Sequence, residues 1–453
     1  MRYVQYKYRI ALVFFFLVLS CQKSIDTLQA EKLFTKVPTE ITGVTFENKI
    51  LESEKIHYYK YLYIYIGGGV AAADFNNDGL EDLFFTSNIY HNKLFLNKGD
   101  FKFEDITLKA GIKKRVGFDV GVSVADVNND GFLDIYINRA GWYKGDEKLA
   151  NMLYINNGDL TFSEQASDYG LAETNRSIAS TFFDYDKDGD LDVYIANAPS
   201  GFALSGKLID LEKIQKSEET KTFRGSDKLY NNDGNGHFTD VSLKAGILPD
   251  LGFGLNAQVG DLNNDGWPDI YVSNDFIGPD FAYINNGDGT FKDNRNYLFK
   301  HISYYSMGSD IGDINNDGLS DLLVLDMSPD DYIRSKTTMS MMSIDRFQDM
   351  IDKDYHHQYM HNVMQVNNGN GTFSEVANMS GVAKTDWSWA SLMADFDLDG
   401  LNDIYITNGI YRDVVDRDTN IEINKYIDAN KSTLTEKDFF DFTQKLPQQK
   451  LTN

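Results

Sequence analysis

Apolar and polar positions recur along most of the chain in units that each predict the same four strands. A strand with small residues, such as 120–124, leads into a short acidic stretch. The strand that follows, such as 133–137 or 191–195, is apolar at nearly every position, which is typical of strands buried on both faces. A hairpin with an Asn/Gly turn comes next, for example at 153–162, so four strands are expected per unit.

These units predict an all-β fold, a β-propeller of four-stranded blades, which we assign to residues 34–409. The acidic stretches start 52, 58, 77, 52 and 82 residues apart, and a period of about 50 with four strands fits a propeller blade. A linear stack of calcium-bound β-units is the competing architecture, but its usual repeat is much shorter. Because residues 34–46 echo 103–112, the first strand is expected to pair with the last unit.

Two insertions and a C-terminal segment interrupt the strand pattern. Residues 199–228 and 328–361 carry apolar residues at helical spacing, which predicts short helices that bury an apolar face. For the methionine-rich second insertion, an adaptable binding surface is the alternative. Residues 410–453 are charged and predicted to be helical. Since six acidic stretches but only five hairpins occur, we expect the N-terminal part of a longer protein or a truncated reading frame.

The acidic stretches share a nine-residue spacing that suits calcium. The richest copy, 184–192, has aspartate at positions 1, 3, 5 and 9 and glycine at position 6. Oxygens at alternating positions suit Ca²⁺, which takes about 6–8 oxygen ligands, and glycine permits the left-handed backbone that wraps a short loop round an ion. These are not EF-hands, because no helix-forming segment precedes the loops and the glutamate at position 12 is absent.

Six copies with one spacing favour calcium loops over solvated turns, which would explain a single copy. About six Ca²⁺ sites are therefore predicted, one per loop. The predicted ligands are Asp74, Asn76, Asp78 and Asp82; Asp126, Asn128, Asp130 and Asp134; Asp184, Asp186, Asp188 and Asp192; Asp261, Asn263, Asp265 and Asp269; Asp313, Asn315, Asp317 and Asp321; and Asp395, Asp397, Asp399 and Asp403.

Most of the negative charge of the chain belongs to these loops. The net charge is −25, and four loops hold three aspartates at ligand positions while two hold four, 20 in all. Nucleic acid is therefore not expected as a partner, since phosphate binding needs a basic surface. Without metal, the clustered carboxylates should repel one another and loosen the fold.

The N-terminus predicts export. Arg2, Lys7 and Arg9 precede an apolar run over 10–19. This run is too short to span a bilayer and is typical of the core of a signal peptide. We place the signal peptide at residues 1–20.

The end of the signal peptide predicts lipid attachment. Residues 18–21 (VLSC) resemble the lipobox of bacterial lipoproteins, which implies lipidation of Cys21 and a lipidated tether over 21–33. An ordinary secretory signal is the alternative. Position 22 is glutamine and not the aspartate linked to inner-membrane retention, so the bacterial outer membrane or cell surface is the expected location. Contact with the membrane is expected through the lipid anchor only.

The loops and hairpins together resemble the FG-GAP/VCBS repeat family, whose blades form integrin-α-like propellers. The resemblance covers about residues 34–410. Residues 67–74 (GGGVAAAD) and 385–390 (TDWSWA) are similar to bacterial lipoproteins of this family that often carry an ASPIC/UnbV domain and are related to the cartilage acidic protein family. The resemblance implies Ca²⁺ in the blade loops, a surface location and a role in adhesion or ligand binding.

A few residues outside the loops are candidates for other chemistry. His357 and His361 would form a metal-binding pair on a helix, although a polar helix end is the favoured interpretation. Trp142-Tyr143, and Trp387 with Trp389, are candidate stacking platforms for sugar rings, with packing between blades as the alternative. No nucleophile elbow and no Gly-rich phosphate loop occurs in the sequence.

Two functions follow from the sequence. The first is a non-enzymatic, calcium-binding cell-surface propeller that binds a protein or polysaccharide ligand as an adhesion module. The alternative is a calcium-dependent polysaccharide-degrading enzyme similar to a lyase. A lyase needs a cleft with Lys or Arg beside a base, and the sequence shows no concentrated basic set.

Overall fold

A computed structural model describes residues 33–449, except 114–116, 141–149, 200–207, 209, 218–224, 250–251, 277 and 339–342. The chain divides into two compact units, residues 1–38 and 39–453. The second unit contains every helix and strand described below. The signal peptide, Cys21 and Trp142-Tyr143 lie outside the described residues.

Six antiparallel sheets form a six-bladed β-propeller, which confirms the predicted fold class. Within the first three blades the strands follow one another in chain order across each sheet. Their bounds are β1 (Val70–Ala73), β2 (Asp82–Phe85), β3 (Lys93–Asn97) and β4 (Phe103–Asp105); β5 (Asp119–Ala125), β6 (Asp134–Arg139), β7 (Met152–Asn156) and β8 (Phe162–Glu164); β9 (Arg176–Phe183), β10 (Asp192–Ala198), β11 (Lys228–Asn232) and β12 (Phe238–Asp240).

Blade 4 keeps this order, whereas blades 5 and 6 depart from it where the second insertion interrupts them. The strands are β13 (Phe253–Gly260), β14 (Asp269–Asp275), β15 (Phe281–Asn285) and β16 (Phe291–Asp293) in blade 4; β18 (Ser309–Gly312), β19 (Asp321–Val324), β22 (Val363–Asn367) and β23 (Phe373–Glu375) in blade 5; and β20 (Met327–Ser328), β24 (Asp386–Ala394) and β25 (Asp403–Asn408) in blade 6. The short strands β17 (Ile302–Ser303) and β21 (Gln358–Tyr359) form a separate parallel pair.

The second strand of a blade is buried on both faces because neighbouring sheets pack against it. Strands β6, β10 and β14 are buried at every residue. Between blades 1 and 2, Phe84 and Leu94 belong to one apolar cluster with Ile135 and Tyr154. The apolar runs of the sequence therefore reflect sheets stacked face to face, as predicted.

A glycine in the turn after most outer strands packs closely against the backbone of the next blade. Gly170 has a φ of +78°, and a Cβ there would lie 2.4 Å from the carbonyl oxygen of Phe238 in the next blade. Gly246 approaches the carbonyl of Phe291 in the same way. Only glycine fits such a close left-handed approach.

The predicted closing strand is not formed by residues 34–46. Helix α1 (Thr39–Thr42) lies there, and the described residues before Val70 contain no strand. The similarity of this segment to the repeat nevertheless has a structural counterpart, because a Cβ on Gly43 would lie 2.7 Å from the carbonyl oxygen of Phe103. Gly43 therefore takes on blade 1 the place that Gly170 takes on blade 3.

The helices lie in both insertions and in the C-terminal segment, as predicted, and at two further four-residue segments that were not predicted. They are α2 (Leu211–Lys216), α3 (Arg295–Leu298), α4 (Tyr332–Thr337), α5 (Ile344–Asp352), α6 (Ala377–Ser380), α7 (Arg417–Asn430) and α8 (Glu436–Lys445). The two insertions pack on each other, with Leu211 and Ile214 beside Met350 in one buried cluster. Among the described residues, no helix combines the length and apolar content needed to cross a membrane.

The C-terminal helices are fixed to the segment that precedes blade 1. Arg412 pairs with Glu52 at 2.6 Å, and both side chains are buried. Phe442 of α8 packs edge-on against Tyr59. The helical C-terminal segment is therefore an integral part of the folded body.

Candidate metal-binding loops

The six acidic stretches connect the first and second strands of the six blades in one shared conformation. Glycine at the sixth position has a φ between +84° and +98° in every loop, as predicted. The fourth position is also left-handed, with φ between +57° and +62°. Asparagine holds this position in four loops, and Lys187 and Leu398 hold it in the others. The left-handed conformation of the fourth position was not predicted. The signal for it in the sequence was asparagine, which is enriched in this conformation.

The first aspartate of each loop is held by the backbone of its own loop. Asp74 accepts the Gly79 N–H at Oδ2 (2.7 Å) and the Asp78 N–H at Oδ1 (3.1 Å). The same two contacts recur in the five other loops. Each loop is therefore wrapped round a carboxylate in a fixed position.

The ninth aspartate joins the loop to the rest of its blade. In blade 4, Oδ2 of Asp269 accepts the Leu262 N–H at 2.9 Å, and Oδ1 accepts the N–H of Asn285 in the third strand at 2.8 Å. Equivalent pairs occur in blades 1, 2, 3 and 5. The ninth aspartates of these five blades are at most 1% exposed.

The asparagine that ends the third strand also connects neighbouring blades. Nδ2 of Asn285 donates to the carbonyl of Tyr185 in blade 3 at 2.8 Å and to that of Pro268 in its own blade at 3.2 Å. Asparagines 156, 232 and 367 make the same pair of contacts. From the sequence, this asparagine is predicted only as a turn residue, and its role in linking blades was not predicted.

The loops also contact one another through the fourth position. Asn77 donates to the carbonyl of Gly131 in the next loop at 3.0 Å, and Lys187 donates to that of Gly266 at 2.6 Å. Asn316 reaches Gly400 at 2.8 Å. Side chains in the left-handed position therefore link loops 1 and 2, loops 3 and 4, and loops 5 and 6.

Burial makes the ninth carboxylates hard to ionise. It raises the pKa of Asp134, Asp192 and Asp269 to about 7 and that of Asp82 to about 6, and it also raises the pKa of Asp321. The N–H groups of the loop and of the third strand oppose this shift but do not cancel it. A nearby cation would favour the ionised form.

Two loops bring three carboxylates close together. Oxygens within 4.8 Å of one another come from Asp184, Asp186 and Asp188 in blade 3, and from Asp395, Asp397 and Asp403 in blade 6. Oδ1 of Asp186 is buried and has no hydrogen-bond partner within the described part of the chain. The predicted ligands Asp192 and Asp399 belong to these loops but lie outside the two groups. An unpaired buried oxygen amid converging carboxylates fits a hard cation such as Ca²⁺.

The four loops with asparagine at the third position are arranged differently. Nδ2 of Asn76 donates to Oδ2 of Asp78 at 3.0 Å, and loops 2, 4 and 5 have the same contact. In the described residues, their three aspartates do not meet within 4.8 Å. Their third and fifth positions are still adjacent, and the aspartate at the fifth position is exposed in each, so the oxygen donors are present but more widely spread.

A second candidate site lies at the strand ends away from the acidic loops. It is a cavity of about 170 Å³, with Trp387, Trp389, Tyr58, Tyr305 and Asp275 among its lining residues. Trp387 is 7% exposed, and its indole N–H has no hydrogen-bond partner among the described residues. One of the two predicted aromatic platforms therefore lines a largely apolar cavity.

The histidine pair is not on a helix. Helix α5 ends at Asp352, and His357 and His361 flank the short strand β21. Within the described part of the chain they belong to no group of three metal ligands. The helix that was considered for these two histidines is therefore not there, which removes the less favoured interpretation as a helical metal pair and places them beyond the helix end as well.

A propeller whose blades each carry one acidic nine-residue loop defines the class of this protein. The FG-GAP-like repeat model matches residues 74–137, 142–195, 222–272 and 261–324, so the chain contains FG-GAP-like repeats. Cartilage acidic protein 1 of Xenopus tropicalis is 28% identical over 220 residues, which cover 47% of this chain and 31% of that protein. The mouse protein is 23% identical over 311 residues, 65% of this chain and 43% of that protein. The similarity is distant and spans less than half of either relative.

Two solved structures each cover about three quarters of this chain at low similarity. An Agrocybe aegerita lectin that recognises non-reducing terminal N-acetylglucosamine superimposes with a TM-score of 0.35 and 15% identity, covering 75% of this chain and 70% of the lectin. The V. cholerae biofilm matrix protein Bap1 gives 0.35 and 11%, covering 77% and 49%.

Proposed function

We propose that the protein is a calcium-stabilised β-propeller that is held at the bacterial cell surface and binds a macromolecular ligand without turning it over. The observation that carries the proposal is the shared loop geometry, in which fixed carboxylates recur in every blade. Alternating oxygen donors suit Ca²⁺. Calcium would have a structural role, because the ninth aspartate connects its loop with the second and third strands.

The aromatic cavity supports binding of an apolar group of the ligand. Its walls combine Trp387 and Trp389 with tyrosine, methionine and aliphatic side chains. Each sugar hydroxyl left unpaired there would cost about 1–3 kcal/mol. Within the proposed class of protein or polysaccharide ligands, this lining favours a protein that presents an aromatic or aliphatic side chain.

Lipid attachment at Cys21 is the proposed means of surface location, and it rests on the sequence alone. The Cys21→Ser variant should fail to incorporate radiolabelled palmitate and should leave the membrane fraction. Palmitate labelling that persists in this variant would rule out Cys21 as the lipidated residue.

Calcium titration with parallel thermal unfolding tests the metal part of the proposal. We expect about six ions to bind, one for each loop, and a chelator to lower the melting temperature substantially. Little binding, or binding without any change in melting temperature, would mean that the loops are solvated turns or exchangeable sites.

Ligand binding is tested separately, on calcium-loaded protein with arrayed polysaccharides and peptides. Trp389→Ala should weaken binding at least tenfold, because Trp389 lines the cavity. Trp267→Ala is the matched control, since Trp267 lies in the fourth loop beside Lys187 and not in the cavity. Equal binding by both variants would remove the cavity from the proposal, and release of unsaturated sugars from acidic polysaccharides would show an enzyme instead.

A further inference from the structure

The cavity at the strand ends away from the acidic loops has one charged side chain in its wall. Of the fifteen described lining residues, seven are aromatic and seven are aliphatic or methionine. The remaining one is Asp275, the last residue of β14. This carboxylate therefore determines which polar groups of a ligand the cavity can accept.

Asp275 has no cationic partner within the described part of the chain. It is 4% exposed, and no lysine, arginine or histidine side chain contributes to its electrostatic surroundings. Burial raises the pKa of Asp275 to about 7, and the carboxylate of Asp326 adds to this rise. A cation in the cavity would favour the ionised form of Asp275.

Asp275 also has unused hydrogen-bonding capacity. Its Oδ2 accepts the Tyr63 hydroxyl at 2.6 Å, and its Oδ1 accepts the Phe276 N–H at 2.6 Å. The two other buried carboxylates nearby are better satisfied within the described residues, since Asp280 accepts three hydrogen bonds and Asp326 accepts four. Because an ionised carboxylate offers about four acceptor positions, Asp275 can accept a further donor from a ligand.

Two separate parts of the chain fix the position of Asp275. Strand β14 places it opposite Phe253 of β13. Tyr63, from the segment that precedes blade 1, stacks on Phe253 with ring centroids 5.1 Å apart and donates its hydroxyl to Asp275. The carboxylate is therefore already ordered before a ligand arrives, which favours binding.

The aromatic lining also suits a cation. Tyr58 and Tyr65 have parallel rings (2°) with centroids 6.3 Å apart, and the rings of Trp387 and Trp389 lie at 28° with centroids 6.4 Å apart. The face of an aromatic ring attracts a cation that lies within about 6 Å of its centroid. Aromatic rings and one carboxylate in the same cavity therefore favour a ligand group that is cationic at its end and otherwise apolar.

We infer that this cavity receives the side chain of a lysine residue of a partner protein, with the ammonium group at Asp275. The inference rests on the proposed function, because it names the ligand group for the cavity proposed above. Lysine combines an aliphatic stem, which suits the apolar wall, with a compact ammonium group that donates three hydrogen bonds. Arginine fits less well, because a bidentate guanidinium needs both carboxylate oxygens, and each oxygen of Asp275 already has a donor.

Two small probes, added to the calcium-loaded protein, test this ligand class. Nα-acetyl-lysine N-methylamide carries the proposed group, and Nα-acetyl-norleucine N-methylamide has the same chain without the ammonium group. With 5-fluorotryptophan in place of the four tryptophans, fluorine NMR reports binding at Trp387 and Trp389, and Trp267 in the fourth loop is the internal control. The lysine probe should shift the first two signals, and the norleucine probe should bind at least tenfold more weakly.

Asp275→Asn removes the charge and keeps the shape of the side chain. It should weaken the lysine probe at least tenfold and leave binding of the norleucine probe unchanged. Asp280→Asn is the matched control, because Asp280 is also buried, burial also raises its pKa to about 7, and it does not line the cavity. Thermal unfolding shows whether either variant has lost its fold, and the comparison of the two probes on the wild type depends on neither variant.

The outcomes separate this inference from the proposed function. Equal or tighter binding of the norleucine probe would overturn the inference and leave the cavity as a site for an apolar group. Tighter binding of choline than of the lysine probe would assign the cavity to a quaternary ammonium ligand and overturn the lysine assignment, as would a folded Asp275→Asn variant with wild-type affinity for the lysine probe. If neither probe shifted the signals of Trp387 and Trp389 at high millimolar concentration, the cavity would be removed from the proposed function together with this inference.

Discussion

The backbone N–H of Asn285 donates a 2.8 Å hydrogen bond to Oδ1 of Asp269. This contact joins the two motifs that the sequence presents separately, the acidic loop and the Asn/Gly hairpin. Since the side chain of Asn285 also reaches Tyr185 in the preceding blade at 2.8 Å, one residue connects a loop, a hairpin and a blade interface. Changes in this asparagine should therefore affect the stability of the whole ring.

Asn285→Ala should destabilise the protein by about 2–4 kcal/mol. The substitution leaves the buried carbonyls of Tyr185 and Pro268 without this donor, at about 1–3 kcal/mol each. The control is Asn286→Ala, because Asn286 is exposed and, among the described residues, its side chain bonds only Thr290 of the same hairpin. Chemical denaturation should place the control within about 0.5 kcal/mol of the wild type. Similar losses in both variants would show that Asn285 has no special role.

The repeat determined how much of the fold could be predicted. Second strands such as 133–137 could be recognised because they are buried on both faces, and the six copies of one loop predicted the left-handed glycine, but the number of blades was not predicted. Periodicity also located α2 and the C-terminal helices. These features depend on local pattern, which a single sequence displays fully.

Long-range contacts were not predictable in the same way. The hydrogen bond from Asn285 to Tyr185 joins residues that are 100 positions apart in the sequence, and it depends on how neighbouring blades stack. The segment over 34–46 was expected to be a strand because it echoes the repeat, yet it places Gly43 against Phe103 without strand pairing. The carboxylate groups of blades 3 and 6 arise from aspartate at the third position, a difference visible in the sequence whose consequence needed coordinates.

Leu398→Asn should stabilise the protein by about 0.5–1 kcal/mol. Leu398 holds the fourth loop position with a φ of +62° and is 87% exposed, so it has backbone strain without compensating packing. A non-glycine residue costs about 1–2 kcal/mol in this conformation, and asparagine tolerates it better. Leu108→Asn is the control, because Leu108 is equally exposed (86%) and is not among the residues with positive φ. Thermal unfolding should show a rise for Leu398→Asn only, and a fall would contradict the strain argument.

Asp265→Ala should remove one calcium ion and lower the stability gained from calcium. Asp265 is the fifth residue of loop 4, and its Oδ1 also accepts the Trp267 N–H at 2.8 Å. Asp288→Ala serves as the control, since Asp288 is an exposed aspartate in the hairpin turn of the same blade. Calorimetric titration should give about five ions for Asp265→Ala and about six for Asp288→Ala. Full stoichiometry in Asp265→Ala would refute the assignment of that loop.

The pH dependence of stability should reverse its sign between chelator and calcium. In chelator, burial raises the pKa of Asp134, Asp192 and Asp269 to about 7 in the folded protein, against about 3.9 in the unfolded chain. The native state then binds more protons than the unfolded state between about pH 4 and pH 7, so the free energy of unfolding falls as pH rises through that window. Calcium requires the ionised carboxylates, and protons compete with it, so the loaded protein should lose stability as pH falls.

Denaturant unfolding at about pH 5 and about pH 8, with calcium and with chelator, measures this reversal. Asp269→Asn cannot titrate at this position, so in chelator it should remove about one proton from the difference between the native and unfolded states and make the pH dependence shallower. Asp288→Asn, at an exposed site, should leave the slope unchanged. If the chelated wild type instead gained stability steadily from pH 5 to pH 8, the ninth carboxylates would have to be ionised without metal. The N–H groups of the third strand alone would then offset the cost of burying the ionised carboxylates, and calcium would not be needed to keep the ninth aspartates ionised.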